Sequence, residues 1–416
     1  MRSRSLVLLL ALAGTALSGC ASGFDTAFTQ SSIPGQPGGN NGTDPGGNGI
    51  SGDTNGNGQD NGVNLSSGDP TLAFAGGSRS IDGSGNTQLI VSSNGNTAQV
   101  SVDPGVAMGF TGTTNLARYL TQTGAATAPA LFDDPGNPAA YYPFDNTTYN
   151  EYRRITSTTD SELQVWNFTD SSGANNYAAH FRNVSGSQSA WFYGGSNGTD
   201  SAEIDTLAAG GTTVNYSGNY AGTATTAGWG EASTYQSGDG AWRMNGTAQM
   251  TANFGTGQFA GTLTPRYWES FQNGKIVRID VGTPDPTQPG NGHVIVTTLA
   301  GARTELVAQD TDIKTYHTST IELAGTITGN RVTGTSTIVA PGANVTINAD
   351  GSRTIDNNLF VNGDRALQAG FYGTNAEQVT GVFATYGVEP NPTGGDTGIN
   401  DDGRATIDIQ GVFHGQ

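Results

Sequence analysis

The sequence predicts an all-β fold that closes, in its C-terminal half, into an eight-stranded antiparallel up-and-down barrel. Three observations carry that expectation. Glycine takes 63 of 416 positions, about twice its usual share. Charged residues make up 12% of the chain, about half the usual fraction, and Thr, Asn and Ser stand where helices use Ala, Leu, Glu and Lys. From residue 211 onward, apolar side chains recur at every second position, the spacing that turns one face of a strand inward.

The chain opens with a targeting segment. Arg2 and Arg4 form a basic start, and Leu6 to Leu17 an apolar stretch of signal-peptide length, too short to span a bilayer as a helix. Ser18 and Gly19 then precede Cys20, and the run LSGC resembles the lipobox of bacterial lipoproteins. That resemblance implies cleavage after residue 19 and acylation of Cys20. Cys20 is the only cysteine, so it has no disulfide partner within the chain. Several acyl chains on one residue give stable anchoring where a single chain is marginal. Ala21 and Ser22 follow in place of the Asp associated with inner-membrane retention, so the outer membrane is the expected location.

Residues 20–68 read as a lipidated tether. Between 31 and 68 there are 12 Gly and 7 Asn in 38 positions, a composition that buries too little apolar surface to offset ordering. As coil, its mean reach is roughly 35 Å. GNGISG at Gly47 to Gly52 matches a dinucleotide fingerprint, but in Gly-rich coil rather than between strand and helix. Asp53, Asn55 and Asn57 resemble the start of a calcium loop, but Asn64 stands where the bidentate Glu belongs. Neither is taken as a site, and no cofactor or metal site is read from the chain.

Residues 69–210 give shorter β signals, in NTQLIVSS, TAQVSV, SELQVWNF and YAAHFRNV. A helical turn is expected at Asn115 to Thr121, and an aromatic loop at Tyr141 to Phe144. Beyond residue 211 the strands are clearer. Val214, Tyr216, Gly218, Tyr220 and Gly222 share one face, as do Ala248, Met250, Ala252 and Phe254. Phe259, Gly261 and Leu263 align, then Ile321, Leu323, Gly325 and Ile327, and finally Ile407, Ile409, Gly411 and Phe413.

Charge and motifs narrow the function. A net charge of −18 with two lysines, Lys275 and Lys314, argues against nucleic acid as a partner. His180, His293, His317 and His414 are scattered, with no metalloprotease, nucleophile-elbow or phosphate-loop signature. No enzyme is expected. Trp229, Trp242, Tyr267 and Trp268 lie at or near strand ends and are the candidate ligand-binding residues, because Trp and Tyr are enriched at binding hot spots. The same residues also suit plugging of the barrel.

The segment from Gln368 to Gly387 resembles the barrel motif of transferrin-binding protein B and its relatives, through Gly370, Phe371, Tyr372, Gly373, Ala376, Glu377, Gly381 and Phe383. Thr374 stands where the family has Pro. NFGTGQFAGTL and DIQGVFHG are similar to its second hairpin and closing strand. The resemblance implies a β-rich handle-like domain over residues 69–210, a barrel over 211–416, and no enzymatic activity. It implies a surface-exposed lipoprotein that captures a host or environmental protein, haem or another ligand. A structural coat or adhesin component without a discrete ligand is the alternative. An integral outer-membrane barrel is a third reading, with the polarity of its faces reversed. Within the motif, Phe371 and Phe383 are expected inside the barrel. A bulge at Gly370–Phe371 would turn Gly370 inward beside Gly381.

Overall fold

The structure, a computed structural model, describes most of residues 144–281 and 315–416, together with strands at 73–75, 88–91, 97–102, 112–124, 292–298 and 304–307. The targeting segment, Cys20, the tether and Trp229 lie outside the described residues.

The N-terminal sheet is an antiparallel meander of eight strands. They are β1 (Ala73–Ala75), β2 (Gln88–Val91), β3 (Thr97–Val102), β4 (Gly112–Gly124), β5 (Thr147–Ile155), β6 (Asp160–Thr169), β7 (Asn175–Asn183) and β8 (Gln188–Gly195). Each of β2 to β7 pairs with its successor, and β1 lies along the outer edge of β8. The helical turn expected at Asn115 to Thr121 is instead the middle of β4, where pairing with β3 through Ala117 hands over to pairing with β5 from Ala117 onward. Leu116 and Leu120 have helical spacing, but these two ladders of backbone hydrogen bonds override that local preference.

A helix, α1 (Ser201–Ala209), follows. Asp200 caps it, its carboxylate accepting from the Ala202 N–H at 2.8 Å, with Glu203 in the first turn. Both acids suit the positive end of the helix.

The remaining strands are β9 (Thr213–Ala227), β10 (Glu231–Ser233), β11 (Gln236–Ser237), β12 (Gly240–Asn253), β13 (Gln258–Gln272), β14 (Lys275–Val281), β15 (Gly292–Thr298) and β16 (Thr304–Val307). After α2 (Thr315–Thr318) come β17 (Thr320–Thr328), β18 (Arg331–Val339), β19 (Asn344–Ile347), β20 (Arg353–Asp356), β21 (Asp364–Tyr372), β22 (Gln378–Glu389) and β23 (Ala405–Gly415). Eight of these close a ring in the order β9, β12, β13, β17, β18, β21, β22, β23, and the β23–β9 ladder seals it. The barrel is therefore up-and-down and eight-stranded.

One edge of strand β13 lies along β12, and the other serves two neighbours in turn. Gln258 to Leu263 pair with β17, whereas Tyr267 to Gln272 pair with β14. The change of partner falls beside a register shift at Asn245/Gly246 on β12, opposite Pro265. Proline has no N–H to give a ladder; beyond it β13 stays paired with β12 as far as Glu269, while its other edge takes up the ribbon β14–β15–β16.

The apolar faces predicted on β9, β12, β13, β17 and β23 point inward. Tyr216, Tyr220, Met250, Phe259, Leu263, Ile321, Leu323, Phe371, Phe383, Ile409 and Phe413 belong to one buried cluster that fills the bore. On the open wall the alternate positions are polar: Gln249, Thr264, Thr326, Thr333 and Thr335 are exposed. A membrane barrel presents an apolar band outward. This one has the opposite polarity, so the integral-barrel reading does not hold.

Candidate functional site

The family-type motif sits where β21 turns into β22. The pairing is regular: Ala369 faces Gly381, Gly370 faces Thr380 and Phe371 faces Val379. No bulge occurs, so Gly370 faces outward with Thr380 while Gly381 and Phe371 face inward. The expected inward Gly370 is thus corrected by strict alternation. Phe371 packs beside Phe254 and Tyr216, with ring centroids 5.0 and 6.2 Å away. Tyr372, next along, turns outward.

Gly373 then reverses the chain at φ 75°, a region that disfavours any side chain. A Cβ there would lie 2.5 Å from Glu377 Oε1, because Glu377 folds back over the turn. A tight turn stands where the helical one is expected, a single 3-10 turn over Thr374–Ala376 in which Asn375 and Ala376 take left-handed φ of 55° and 57°. Its last carbonyl, on Ala376, accepts from the Tyr216 hydroxyl at 2.7 Å. Burial pushes the Tyr216 phenol well above its ordinary value, so it remains a donor.

Glu377 accepts from the Ser171 N–H at 2.7 Å, at the β6–β7 turn. Thr199 donates its N–H to Phe371 O at 2.9 Å and its hydroxyl to Gly373 O at 2.8 Å. The motif therefore ties the N-terminal sheet to the barrel.

The joint is wide. Val382, Ala384, Val412 and Ala221 on the barrel's outer side share a buried cluster with Trp166, Phe168, Trp191 and Tyr193 of the N-terminal sheet. Within it runs a polar chain. Gln378 donates to Thr169 O at 3.1 Å and accepts from the Asn176 amide. Thr380 donates to Asn176 Oδ1 at 2.9 Å and lies 3.0 Å from His414 Nδ1. A hydroxyl has one proton, and Asn176 takes it, so Nδ1 of His414 carries the hydrogen shared with Thr380. The His414 ring stacks on Phe168 at 3.6 Å. Burial pushes its pKa down to about 3, so it is neutral at ordinary pH.

The candidate ligand-binding residues fall elsewhere. Trp242 and Trp268 are fully buried with Tyr316 and His317, plugging the barrel end next to α2. Trp268 Nε1 donates to His317 O at 3.1 Å, and Trp242 Nε1 to Thr226 Oγ1 at 3.3 Å. Their large apolar rings and satisfied indole N–H groups make them core, which corrects the surface-binding expectation. Tyr267 is half-buried, with the Arg266 guanidinium 5.6 Å from its ring. Among the described residues no group of three His, Cys, Asp or Glu side chains is placed to hold a metal. Sequence reasoning missed Asn176, Thr380 and His414, whose signal lies only in pairing between strands distant in the chain.

A closed meander with a filled bore and a polar open wall, bonded to a second β-sheet through the turn between β21 and β22, defines a packed barrel module. The family described as the C-lobe and N-lobe β-barrels of Tf-binding protein B matches residues 210–416, and this part of the chain is a barrel domain of that type. The solved structure of intact Ap-TbpB, with N and C lobes, aligns with 79% of this chain and 66% of its own length, at 12% identity and a TM-score of 0.24. The overlap is thus just under two thirds of that two-lobed chain. No curated protein matches.

Proposed function

We propose that the chain is a non-enzymatic surface lipoprotein, held on the outer membrane through a lipid on Cys20. Its handle-like sheet over 69–210 and its barrel over 211–416 work as one lobe that captures a protein partner. By its barrel type the partner belongs to the iron-carrying class, of which transferrin is the example. The observation that carries the reading is the polarity of the barrel. Its bore is packed with aromatic and aliphatic side chains and its open wall is polar, so recognition falls to the outer surface. This favours a protein over haem or another small ligand enclosed in the bore.

The test is capture by the immobilised soluble body, residues 69–416. Host serum and purified transferrin, apo and iron-loaded, are passed over it. The reading expects one protein retained in equimolar amount. A body that retains none in stoichiometric amount overturns it and leaves the coat or adhesin role.

A further inference from the structure

Among the described residues, the exposed large apolar side chains are Val345, Ile347, Leu359 and Val361. All four lie on one connection, between β18 and β21. Its outer part is the hairpin β19–β20, in which Val345 faces Ile355 and Ile347 faces Arg353. Residues directly opposite, and those two apart, share a face, so Val345, Ile347, Ile355 and Arg353 project from the same side. Ile347 is 60% exposed.

The root of this hairpin is fixed to the barrel. Asn358 accepts from Ala340 N at 3.0 Å and donates to Ile338 O at 2.9 Å. Phe360 is buried in the barrel core, and Val361 exchanges backbone hydrogen bonds with Val388 at 3.0 and 3.1 Å. The outer part is held differently. Arg353 reaches Glu322 on the outer wall of β17 and forms an ion pair with it, each side chain 7% exposed. Thr262 on β13 donates to the same Glu322 oxygen at 3.0 Å. All four residues of β19 are exposed, and a lone hairpin of this length is marginal in water.

We propose that β19–β20 is a hinged arm latched to the barrel wall by Arg353 and Glu322. It swings free as a unit while the barrel stays closed, carrying with it the already exposed Val345 and Ile347 side chains and freeing the Arg353 side of the hairpin from the wall. The rooted end supplies the hinge and the ion pair supplies the catch. Removing one charge of a withdrawn pair leaves the other uncompensated, and that charge regains water by release of the arm. The inference goes beyond the capture reading and does not depend on the identity of a partner.

Limited trypsin digestion of the full-length protein tests it, because cleavage after Arg353 requires the arm to leave the wall. Cleavage tracks the open population when opening is fast. Glu322→Gln is expected to raise cleavage at Arg353–Thr354 about tenfold relative to cleavage at exposed Arg266, with the thermal midpoint of the barrel kept. Unchanged relative cleavage overturns the proposal. Hydrogen exchange on the unmodified protein gives a second readout that needs no variant. Amides of β19 and β20 are expected to exchange on the order of a hundredfold faster than those of β18 and β21. Exchange in step with those barrel strands overturns the latch and arm alike.

Discussion

Replacing Gly381 by Val places a branched side chain inside a closed bore. Gly381 lies on the inner face of β22, opposite Ala369 and Phe413 on the neighbouring strands. A Cβ at this position would lie 2.5 Å from the Cβ of Ala369, 2.5 Å from the carbonyl oxygen of Gln368 and 2.6 Å from Cζ of Phe413. Real Cβ contacts are essentially never that short, and two of the three neighbours sit on or next to the backbone of β21. Phe413 cannot swing away freely, since it is buried and stacked beside Phe259. Overpacking of this kind costs about 1–3 kcal/mol, and the branch at Cβ places the cost at the upper end. At this domain size, about 3 kcal/mol corresponds to a fall in Tm of roughly 6–12 °C. Thermal unfolding of residues 69–416 followed by circular dichroism measures it. Thr333→Val, on the exposed wall, is the control and is expected to stay within about 0.5 kcal/mol of the parent. A Gly381→Val Tm equal to that of the control would refute the placement of residue 381 inside a packed bore.

Four further outcomes are expected. Glu377→Ala leaves the Ser171 N–H without its carboxylate and should cost about 0.5–1.5 kcal/mol, since the exposed N–H regains water, with faster hydrogen exchange at Ser171 and unchanged exchange inside the barrel; slow exchange at Ser171 would argue against the tie. Trp268→Ala empties the plug beside α2 and should cost about 3–5 kcal/mol, read as a lower urea midpoint, and a parent-like midpoint would remove Trp268 from the core. His414 has a folded pKa of about 3 against an ordinary 6.5, so the unfolded chain binds the extra proton first; its contribution is complete above pH 6.5 and declines as pH falls from 6.5 toward 3. His414→Phe should therefore flatten that part of the stability profile, and a profile with the same slope as the parent would contradict the buried neutral ring. Cys20→Ser should release the protein from membranes or stall its processing; mature protein that still pellets with membranes after an alkaline wash would oppose the lipid anchor.

The barrel was legible where its strands have one apolar and one polar face. Tyr216, Met250 and Leu323 announce their inward positions because the polar Ser217, Gln249 and Glu322 beside them face out. Strand β22 lacks that contrast. Eleven of its twelve residues are buried, since one side meets the bore and the other meets Trp166 and Tyr193, so periodicity cannot say which side is which. It was found through its motif instead. Strand β4 was misread because the spacing of Leu116 and Leu120 is helical, and only its two paired neighbours decide otherwise. Helix α1 carries a start signal in Asp200 and Glu203, but Ile204 is its one buried residue, so no apolar stripe marks it in the sequence. The Trp242 and Trp268 indoles were open to two readings, because sequence places a residue near a strand end without saying whether that end is capped.

The divided pairing of β13 separates two properties that a simple barrel couples. Strand count and stagger fix the girth of a closed sheet, and at the β13–β17 seam closure needs only Gln258 to Leu263. Trp268, Ile279 and Val281, beyond Pro265, belong to the buried core, but β15 and β16 pair with none of the eight ring strands. The fold thus offers a graft point at the far edge of this ribbon, where new surface can be tried while the ring of eight strands is left untouched.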